Sequence, residues 1–122
     1  MLKKIEASHY SIYVGMDILN TDEWQAYWKV CTKKIVVISD SNVAECYFEK
    51  IKYSFQNLGL FPLFFSFPAG EQFKTRETKQ ALEDKMLSAG CARDTILLAV
   101  GGGVTCDLVG FLASTYCRGV SV

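Results

Sequence analysis

Apolar and polar positions form two patterns along the chain, one typical of buried strands and one typical of amphipathic helices. A β-prone run, two largely apolar runs and one continuous apolar run predict strands over residues 10–14, 34–38, 63–67 and 95–100. Apolar residues three or four positions apart predict helices over residues 17–30, 42–58, 75–89 and 104–116. Strands that alternate with helices imply right-handed crossovers, so the predicted fold class is α/β, a Rossmann-like parallel sheet with flanking helices.

Several polar side chains directly follow predicted strands, at the edge of an open α/β sheet where ligands bind. They are Asp40, Asn42, Glu71 and Lys74. Asp40 is suited to bind ribose hydroxyls, and its charge would repel a 2′-phosphate, which favours NAD over NADP. Two plainer explanations stay open: Asp40 and Asn42 cap a helix, and Glu71 and Lys74 form an exposed ion pair.

Three glycines, at positions 101 to 103, join the last predicted strand to the last predicted helix. Glycine allows a tight turn and a close approach of a ligand to the backbone. The N–H groups and dipole of the helix start favour an anion such as a pyrophosphate. The alternative is that the glycines serve tight packing only. Because they do not follow the G-x-G-x-x-G pattern, the turn alone supports NAD weakly.

Composition excludes several classes of function. Thirteen basic and thirteen acidic residues give the 122-residue chain no net charge, and no basic tract indicates a nucleic-acid or membrane surface. No segment resembles a signal peptide or a membrane span, so a cytoplasmic location is expected. Five cysteines without a C-x-x-C pair predict reduced, small core residues. The length corresponds to one domain at most.

A longer motif surrounds the glycine turn and is far more specific than the turn itself. Gly-Gly-Gly-Val at 101–104 is followed by Asp107, Gly110-Phe111, Ala113 and Arg118-Gly119-Val120. This motif resembles the signature of the 3-dehydroquinate synthase family. Related polyol and iron-dependent alcohol dehydrogenases share the glycines and the aspartate but usually lack the Gly-Phe and Arg-Gly pairs. The resemblance includes residues 39–43 and 68–74, and it covers most of the chain from about Lys33 onward.

The resemblance implies a role for each site residue. The residues implied to contact the adenosine part of NAD are Asp40, Asn42, Glu71 and Lys74. Those implied to cradle its pyrophosphate are Gly102, Gly103 and Val104. Asp107 would lie near the nicotinamide half. A ligand-facing role also fits the expectation that a carboxylate inside the apolar helix 104–116 needs a partner.

Arg118 matches the family arginine that binds the substrate phosphate, a task that suits a guanidinium fork. In the family's homodimers that arginine is expected to reach the neighbouring subunit's site. The competing interpretation makes Arg118 a structural residue that pairs with a carboxylate or a helix end.

The activity implied by the resemblance is that of a phosphorus-oxygen lyase of the shikimate pathway. It converts the sugar phosphate 3-deoxy-arabino-heptulosonate 7-phosphate to 3-dehydroquinate and phosphate, with NAD and a divalent metal, zinc or cobalt. Two alternatives stay open, another sugar-phosphate cyclase of the same superfamily and a free-standing nucleotide-binding module.

The chain is expected to be incomplete, an N-terminal NAD-binding domain over residues 1–122 that is truncated before the helical metal-binding domain. The only histidine, His9, lies far from the motifs and is expected to be solvated rather than a metal ligand. The metal ligands and catalytic residues of the family would lie beyond Val122, where residues 120–122 begin another predicted strand. The 122-residue chain alone is therefore expected to be inactive.

Overall fold

The computed structural model describes residues 2–122, which form two compact units, Met1–Cys31 and Thr32–Val122. The first unit begins with an antiparallel hairpin of β1 (Lys3–Glu6) and β2 (Ser11–Val14), in which Lys3 pairs with Val14 and Glu6 with Ser11. Helix α1 (Asp22–Lys29) follows. Its N-cap is Thr21, whose Oγ1 accepts a hydrogen bond from the Trp24 N–H at 3.3 Å.

The first unit corrects two sequence-based expectations. The predicted strand at 10–14 is present, but it pairs antiparallel with β1 rather than joining a parallel sheet. The predicted helix over 17–30 starts later, at Asp22, after a short 3₁₀ turn at Ile18–Asn20. Asp17 has a left-handed φ of 53°, which is incompatible with a continuous right-handed helix from that residue.

The second unit contains a parallel sheet of β3 (Lys34–Asp40), β4 (Leu63–Phe67) and β5 (Thr95–Ala99). The strand order is β4-β3-β5, so β3 lies in the middle. In the register, Val36 lies opposite Leu63 on one side and Leu97 on the other. The central strand is buried at five consecutive positions, as the continuous apolar run predicts for a strand covered on both faces.

Helices cover both faces of this sheet. Helix α2 (Ser41–Gln56) packs on β3 and β4, with Phe48 against Phe64 at 5.0 Å between ring centroids. Helices α3 (Arg76–Ser88) and α4 (Gly103–Thr115) pack against each other and against the sheet, over the main core. The buried side chains of that core are Val36, Ile38, Phe67, Leu82, Met86, Cys91, Leu97, Leu108, Val109, Leu112, Ala113 and Tyr116. The α/β fold class is therefore confirmed.

The end of the chain returns to the sheet. After α4, the Val120 N–H donates to the Ala113 carbonyl at 2.8 Å, and the Leu97 N–H donates to the Ser121 carbonyl at 2.9 Å. Ser121 forms a parallel bridge with Ile96 on β5. The strand predicted to begin at 120–122 thus starts beside β5. Among residues 2–122, no helix is both long and apolar enough to cross a membrane.

The cysteines correct a further expectation. All five are free thiols in the part of the chain that the structure describes, but only Cys91 is buried. Cys46 and Cys106 are exposed because they lie on the outward faces of α2 and α4. Cys117 is exposed in the 3₁₀ turn that follows α4. Burial raises the pKa of the Cys91 thiol. The prediction that the cysteines are core residues is therefore wrong for these three.

Candidate functional site

The two strands that carry the sequence motifs are neighbours, and their outgoing chains diverge. From β3 the chain enters α2 on one face of the sheet, and from β5 it enters α4 on the opposite face. Such a divergence opens a crevice at the carboxyl ends of the two strands, where open α/β sheets bind ligands. Asp40 ends β3, and the glycine turn follows β5. The fold therefore brings these two motifs to one crevice.

Hydrogen bonds fix the two strand ends against each other. The Val100 N–H donates to the Ile38 carbonyl at 3.0 Å, and the Ser39 hydroxyl donates to the Val100 carbonyl at 2.5 Å. Ser39 is fully buried. The backbone on both sides of the crevice is thus held in place up to the point where the glycines begin.

The three glycines of the turn differ in what they require. Gly101 has a φ of 148°, and a Cβ there would lie 2.8 Å from Thr105 Oγ1, so both conformation and packing demand glycine. Gly102 has extended backbone, and a Cβ at Gly102 or Gly103 would meet no described atom within 4 Å. Tight packing therefore explains Gly101 alone, and the other two glycines leave open space in front of the helix.

Helix α4 begins at this open space without a side-chain cap. Gly102 is its N-cap residue, and no side chain of the described residues accepts a hydrogen bond from the first-turn N–H groups. An α-helix leaves its first N–H groups without intrahelical partners, and it carries a partial positive charge at this end. Val104, the second residue of α4, is half-buried beside them. The turn can therefore accept an anion.

Asp40 acts as the N-cap of α2. Its Oδ1 accepts a hydrogen bond from the Val43 N–H at 2.9 Å, and Asn42 lies exposed in the first helical turn. The capping explanation is thus correct for Asp40. It does not exclude a ligand, because a carboxylate has two oxygens and about four acceptor sites.

The segment after β4 is held close to the start of α2. The Ala69 N–H donates to Ser41 Oγ at 3.0 Å, and a 3₁₀ turn at Glu71–Phe73 follows. Glu71 and Lys74 are exposed in and directly after this turn. The sequence patterns thus predict correctly that this segment lies at the carboxyl edge of the sheet, although Ser41 was not singled out as the residue that ties it there.

Lys74 and Asp107 form an ion pair between this segment and α4. Lys74 Nζ lies 2.8 Å from Asp107 Oδ2. The hydrogen bond and charge of Asp107, with a smaller contribution from Glu71, raise the pKa of Lys74. The expectation of a Glu71–Lys74 ion pair is corrected, since Lys74 pairs with Asp107. The desolvation argument for Asp107 is wrong as well, because its side chain is 64% exposed.

Thr105, the third residue of α4, packs directly behind Gly101. It is 1% exposed, and its Oγ1 has no hydrogen-bond partner among the residues described.

Arg118 lies at the other end of α4 from the glycine turn, in the 3₁₀ turn Tyr116–Arg118. A 13-residue helix spans about 20 Å, so Arg118 does not join the crevice residues of its own chain. Arg118 and Cys117 both have left-handed backbone, with φ values of 62° and 48°. The residue is exposed, and no carboxylate within residues 2–122 forms an ion pair with it, so the structural interpretation keeps only its second form, contact with a helix end.

The described residues do not form a metal site. No group of three or more His, Cys, Asp or Glu side chains lies together within residues 2–122. His9 is exposed between β1 and β2.

Comparison with known proteins gives the family. Residues 64–122 match the family described as 3-dehydroquinate synthase N-terminal. The pentafunctional AROM polypeptide of Scheffersomyces stipitis is 40% identical over 119 residues, which are 92% of this chain and 8% of that protein. The pentafunctional AROM polypeptide of Eremothecium gossypii is 42% identical over 114 residues, 90% of this chain and 7% of that protein.

Two solved cyclases share the fold. 2-Deoxy-scyllo-inosose synthase, complexed with carbaglucose-6-phosphate, NAD⁺ and Co²⁺, has a TM-score of 0.77 at 25% identity, covering 98% of this chain and 33% of that one. The 2-epi-5-epi-valiolone synthase of Streptomyces hygroscopicus, with NAD⁺ and Zn²⁺ bound, has a TM-score of 0.75 at 26% identity, with the same coverage.

The chain spans less than a tenth of the curated relatives and about a third of the solved ones. The motif at 101–120 lies within the matched residues; its glycine turn follows β5 at the carboxyl edge of the sheet, and its Arg118 lies beyond the other end of α4. The chain belongs to the 3-dehydroquinate synthase family of enzymes, of which it carries the N-terminal part.

Proposed function

We propose that this chain is the NAD-binding part of a 3-dehydroquinate synthase, a phosphorus-oxygen lyase that makes 3-dehydroquinate and phosphate from 3-deoxy-arabino-heptulosonate 7-phosphate. The observation that carries the proposal is the pair Gly102 and Gly103. Neither backbone conformation nor packing requires glycine there, and both face open space at an uncapped helix start. A ligand that comes close to the backbone explains both glycines.

The residues of the crevice fit a dinucleotide. The N–H groups at 103–105 can donate hydrogen bonds to a pyrophosphate. The Asp40 carboxylate can accept hydrogen bonds from ribose hydroxyls, because capping α2 uses only one of its acceptor sites. The remaining proposed contacts are Asn42, Glu71, Lys74, Val104 and Asp107. The negative charge of Asp40 disfavours a 2′-phosphate, so NAD is proposed rather than NADP. When bound, NAD supplies a hydride acceptor at the substrate.

The residues of this chain hold and orient the cofactor; none of them is proposed as an acid, a base or a metal ligand. A divalent metal, zinc or cobalt, is proposed for the complete protein and would need ligands from outside the described residues. Arg118 is proposed to bind the substrate phosphate in a homodimer. The cytoplasmic location and the absence of nucleic-acid or membrane partners also stay predictions.

Titration of NAD into the full-length gene product tests the proposal. Gly102→Val should fold, since its side chain enters open space and its backbone is extended, but its NAD affinity should fall at least tenfold because the valine fills the space of the phosphates. Gly110→Ala is the matched control, because its Cβ also meets open space within the same helix. It should leave the NAD affinity unchanged. Equal affinity in Gly102→Val and the wild type would refute the assignment.

Phosphate release decides between the enzymatic alternatives. The full-length protein should release phosphate from the heptulosonate 7-phosphate, whereas the 122-residue chain alone should release none even with NAD and zinc. Turnover of a different sugar phosphate, with none of the heptulosonate, would favour another cyclase of the superfamily. This alternative is included because the two solved cyclases share the fold of this chain. NAD binding without turnover of any sugar phosphate would favour the free-standing nucleotide-binding module.

A further inference from the structure

Two consecutive residues in the turn after α4 have a backbone conformation that side chains rarely adopt. Cys117 has a φ of 48° and Arg118 a φ of 62°. The Gly119 N–H donates to the Tyr116 carbonyl at 2.8 Å and closes a turn whose two central residues have positive φ, as in a type I′ turn. Such positions favour glycine, asparagine and aspartate, because most other side chains are strained there. A cysteine followed by an arginine therefore costs stability at these positions.

This cost indicates that the side chain of Arg118 is retained for a reason other than an easy backbone. Strained backbone persists only where the surrounding structure over-determines it, and it is concentrated at functional sites. Arg118 is exposed, and no ion pair within residues 2–122 offsets the strain. The turn must therefore be held in place by the residues on either side of it.

Tyr116 holds the first side of the turn. It is 2% exposed within the main core, and its hydroxyl donates to the Cys91 carbonyl at 2.6 Å. Cys91 lies between α3 and β5, so this hydrogen bond joins the turn to a separate part of the core. Burial raises the pKa of the Tyr116 hydroxyl, which therefore stays protonated and able to donate. On the second side, the Val120 N–H donates to the Ala113 carbonyl at 2.8 Å.

We infer that Tyr116 is a positioning residue for Arg118, and that its hydrogen bond to Cys91 holds the turn in the conformation that presents the guanidinium to the substrate phosphate. This inference rests on the proposed role of Arg118. A guanidinium on a backbone that is already fixed binds a phosphate more tightly, because less conformational freedom is lost on binding. Because it is buried, Tyr116 itself contacts neither the sugar phosphate nor NAD.

Tyr116→Phe tests the inference in the full-length gene product, because phenylalanine keeps the ring in the core and removes only the hydroxyl. The kcat/KM for the sugar phosphate should fall about threefold to tenfold, mainly through a higher KM, since one hydrogen bond that fixes the turn is lost. The melting temperature should fall slightly, because the Cys91 carbonyl loses its donor. NAD affinity should stay the same, since the glycine turn lies at the opposite end of α4.

Two further variants separate positioning from a general loss of stability. If Tyr116 acts through Arg118, adding Tyr116→Phe to Arg118→Ala should lower kcat/KM no further than Arg118→Ala alone. Ile51→Val is the matched stability control, because it shortens a buried side chain of α2. It should lower the melting temperature by a similar amount and leave kcat/KM unchanged.

Wild-type kcat/KM in Tyr116→Phe would overturn the inference. So would losses that multiply in the double variant, or an equal loss of kcat/KM in Ile51→Val. In each of these cases a lowered kcat/KM in Arg118→Ala would leave the proposed role of Arg118 standing. A normal kcat/KM in Arg118→Ala would instead overturn that role and the inference together.

Discussion

Asp40 combines a structural and a proposed ligand-binding role in one carboxylate. It ends β3 and caps α2 through the Val43 N–H. Replacing it with alanine would remove the cap and the charge together, so a weaker affinity for NAD could arise from a damaged helix start. A substitution that separates the two roles is needed, and serine provides it because serine and aspartate are about equally good N-caps.

We expect Asp40→Ser to keep the stability of the protein and to lose affinity for NAD, with weaker discrimination against NADP, because the cap stays and the charge is gone. Asp40→Ala should lose about 1 kcal/mol of stability in addition, as typical for a missing cap. Urea denaturation measures the first effect, and titrations with NAD and NADP measure the second. Wild-type affinity in Asp40→Ser would leave Asp40 with the capping role only.

At the scale of single residues, the sequence places the side chains but does not determine their contacts. The position of Asp40 after a strand is readable, yet capping and ribose binding predict the same residue at the same place. Asp107 looks like a buried charge in an apolar helix, but it lies on the exposed face and pairs with Lys74. Which face of a helix is buried depends on the elements packed against it. Residues 104–116 are so uniformly apolar that the sequence does not show which face of this helix is exposed.

The Lys74–Asp107 ion pair joins two elements, the segment after β4 and helix α4. The pKa of Lys74 is raised above its ordinary value of 10.5, so the folded state holds this proton more tightly than the unfolded state. The resulting stabilisation is fully present below pH 10.5 and is lost as the pH rises through the raised pKa.

We therefore expect Lys74→Met to be slightly less stable than the wild type at neutral pH, and this difference to vanish above the raised pKa of Lys74. Urea denaturation of both proteins between pH 7 and a pH well above 10.5 measures it. Asp107→Asn should behave like Lys74→Met, and the double variant should be no less stable than either, because one interaction is lost in all three. Additive losses would show that the two side chains act independently.

Elements with strong periodicity are predicted well, and elements without it are not. The strand at Leu63–Phe67 has the predicted ends, because its four apolar residues and one serine lie between Pro62 and Pro68. The strand Lys3–Glu6 was not predicted, because all four residues are exposed and charged residues occupy three of the positions. It forms a strand because it pairs with β2, although its own sequence has no strand-like apolar pattern.

At the scale of the whole molecule, Arg118 is separated from the crevice by the length of α4. Arg118→Ala should lower kcat/KM for the sugar phosphate at least tenfold and leave NAD affinity intact, since a charged hydrogen bond is worth about 1.5–3 kcal/mol. Lysine should restore activity only in part. A lower melting temperature with a normal kcat/KM would instead assign Arg118 a structural role.

Mixed dimers of two variants test whether Arg118 contributes to the site of its own subunit or to the site of the neighbouring subunit. If it reaches the neighbouring site, Arg118→Ala and Gly102→Val subunits should complement each other, because one site of each mixed dimer then has an intact glycine turn and an intact arginine. Random mixing would restore about a quarter of the wild-type activity, since half of the dimers are mixed and each has one working site. Activity no higher than that of the separate variants would place Arg118 in its own subunit's site.

The sequence predicts the parallel α/β architecture, because alternating strands and helices permit few topologies. The sequence does not predict how far the glycine turn lies from Arg118. Both belong to one motif of 18 residues, and they are far apart in space only because α4 runs between them. Nor does the alternation reveal two compact units, because the hairpin and α1 continue the same apparent series of strands and helices.

The placement of the tryptophans has a spectroscopic consequence. Both, Trp24 and Trp28, lie on α1, with ring centroids 5.6 Å apart, so tryptophan emission originates entirely from the unit Met1–Cys31. Far-ultraviolet circular dichroism is dominated by α2, α3 and α4, which all belong to the unit Thr32–Val122. Denaturation curves followed by these two signals therefore report on different units, and the offset between their midpoints measures the cooperativity that links them.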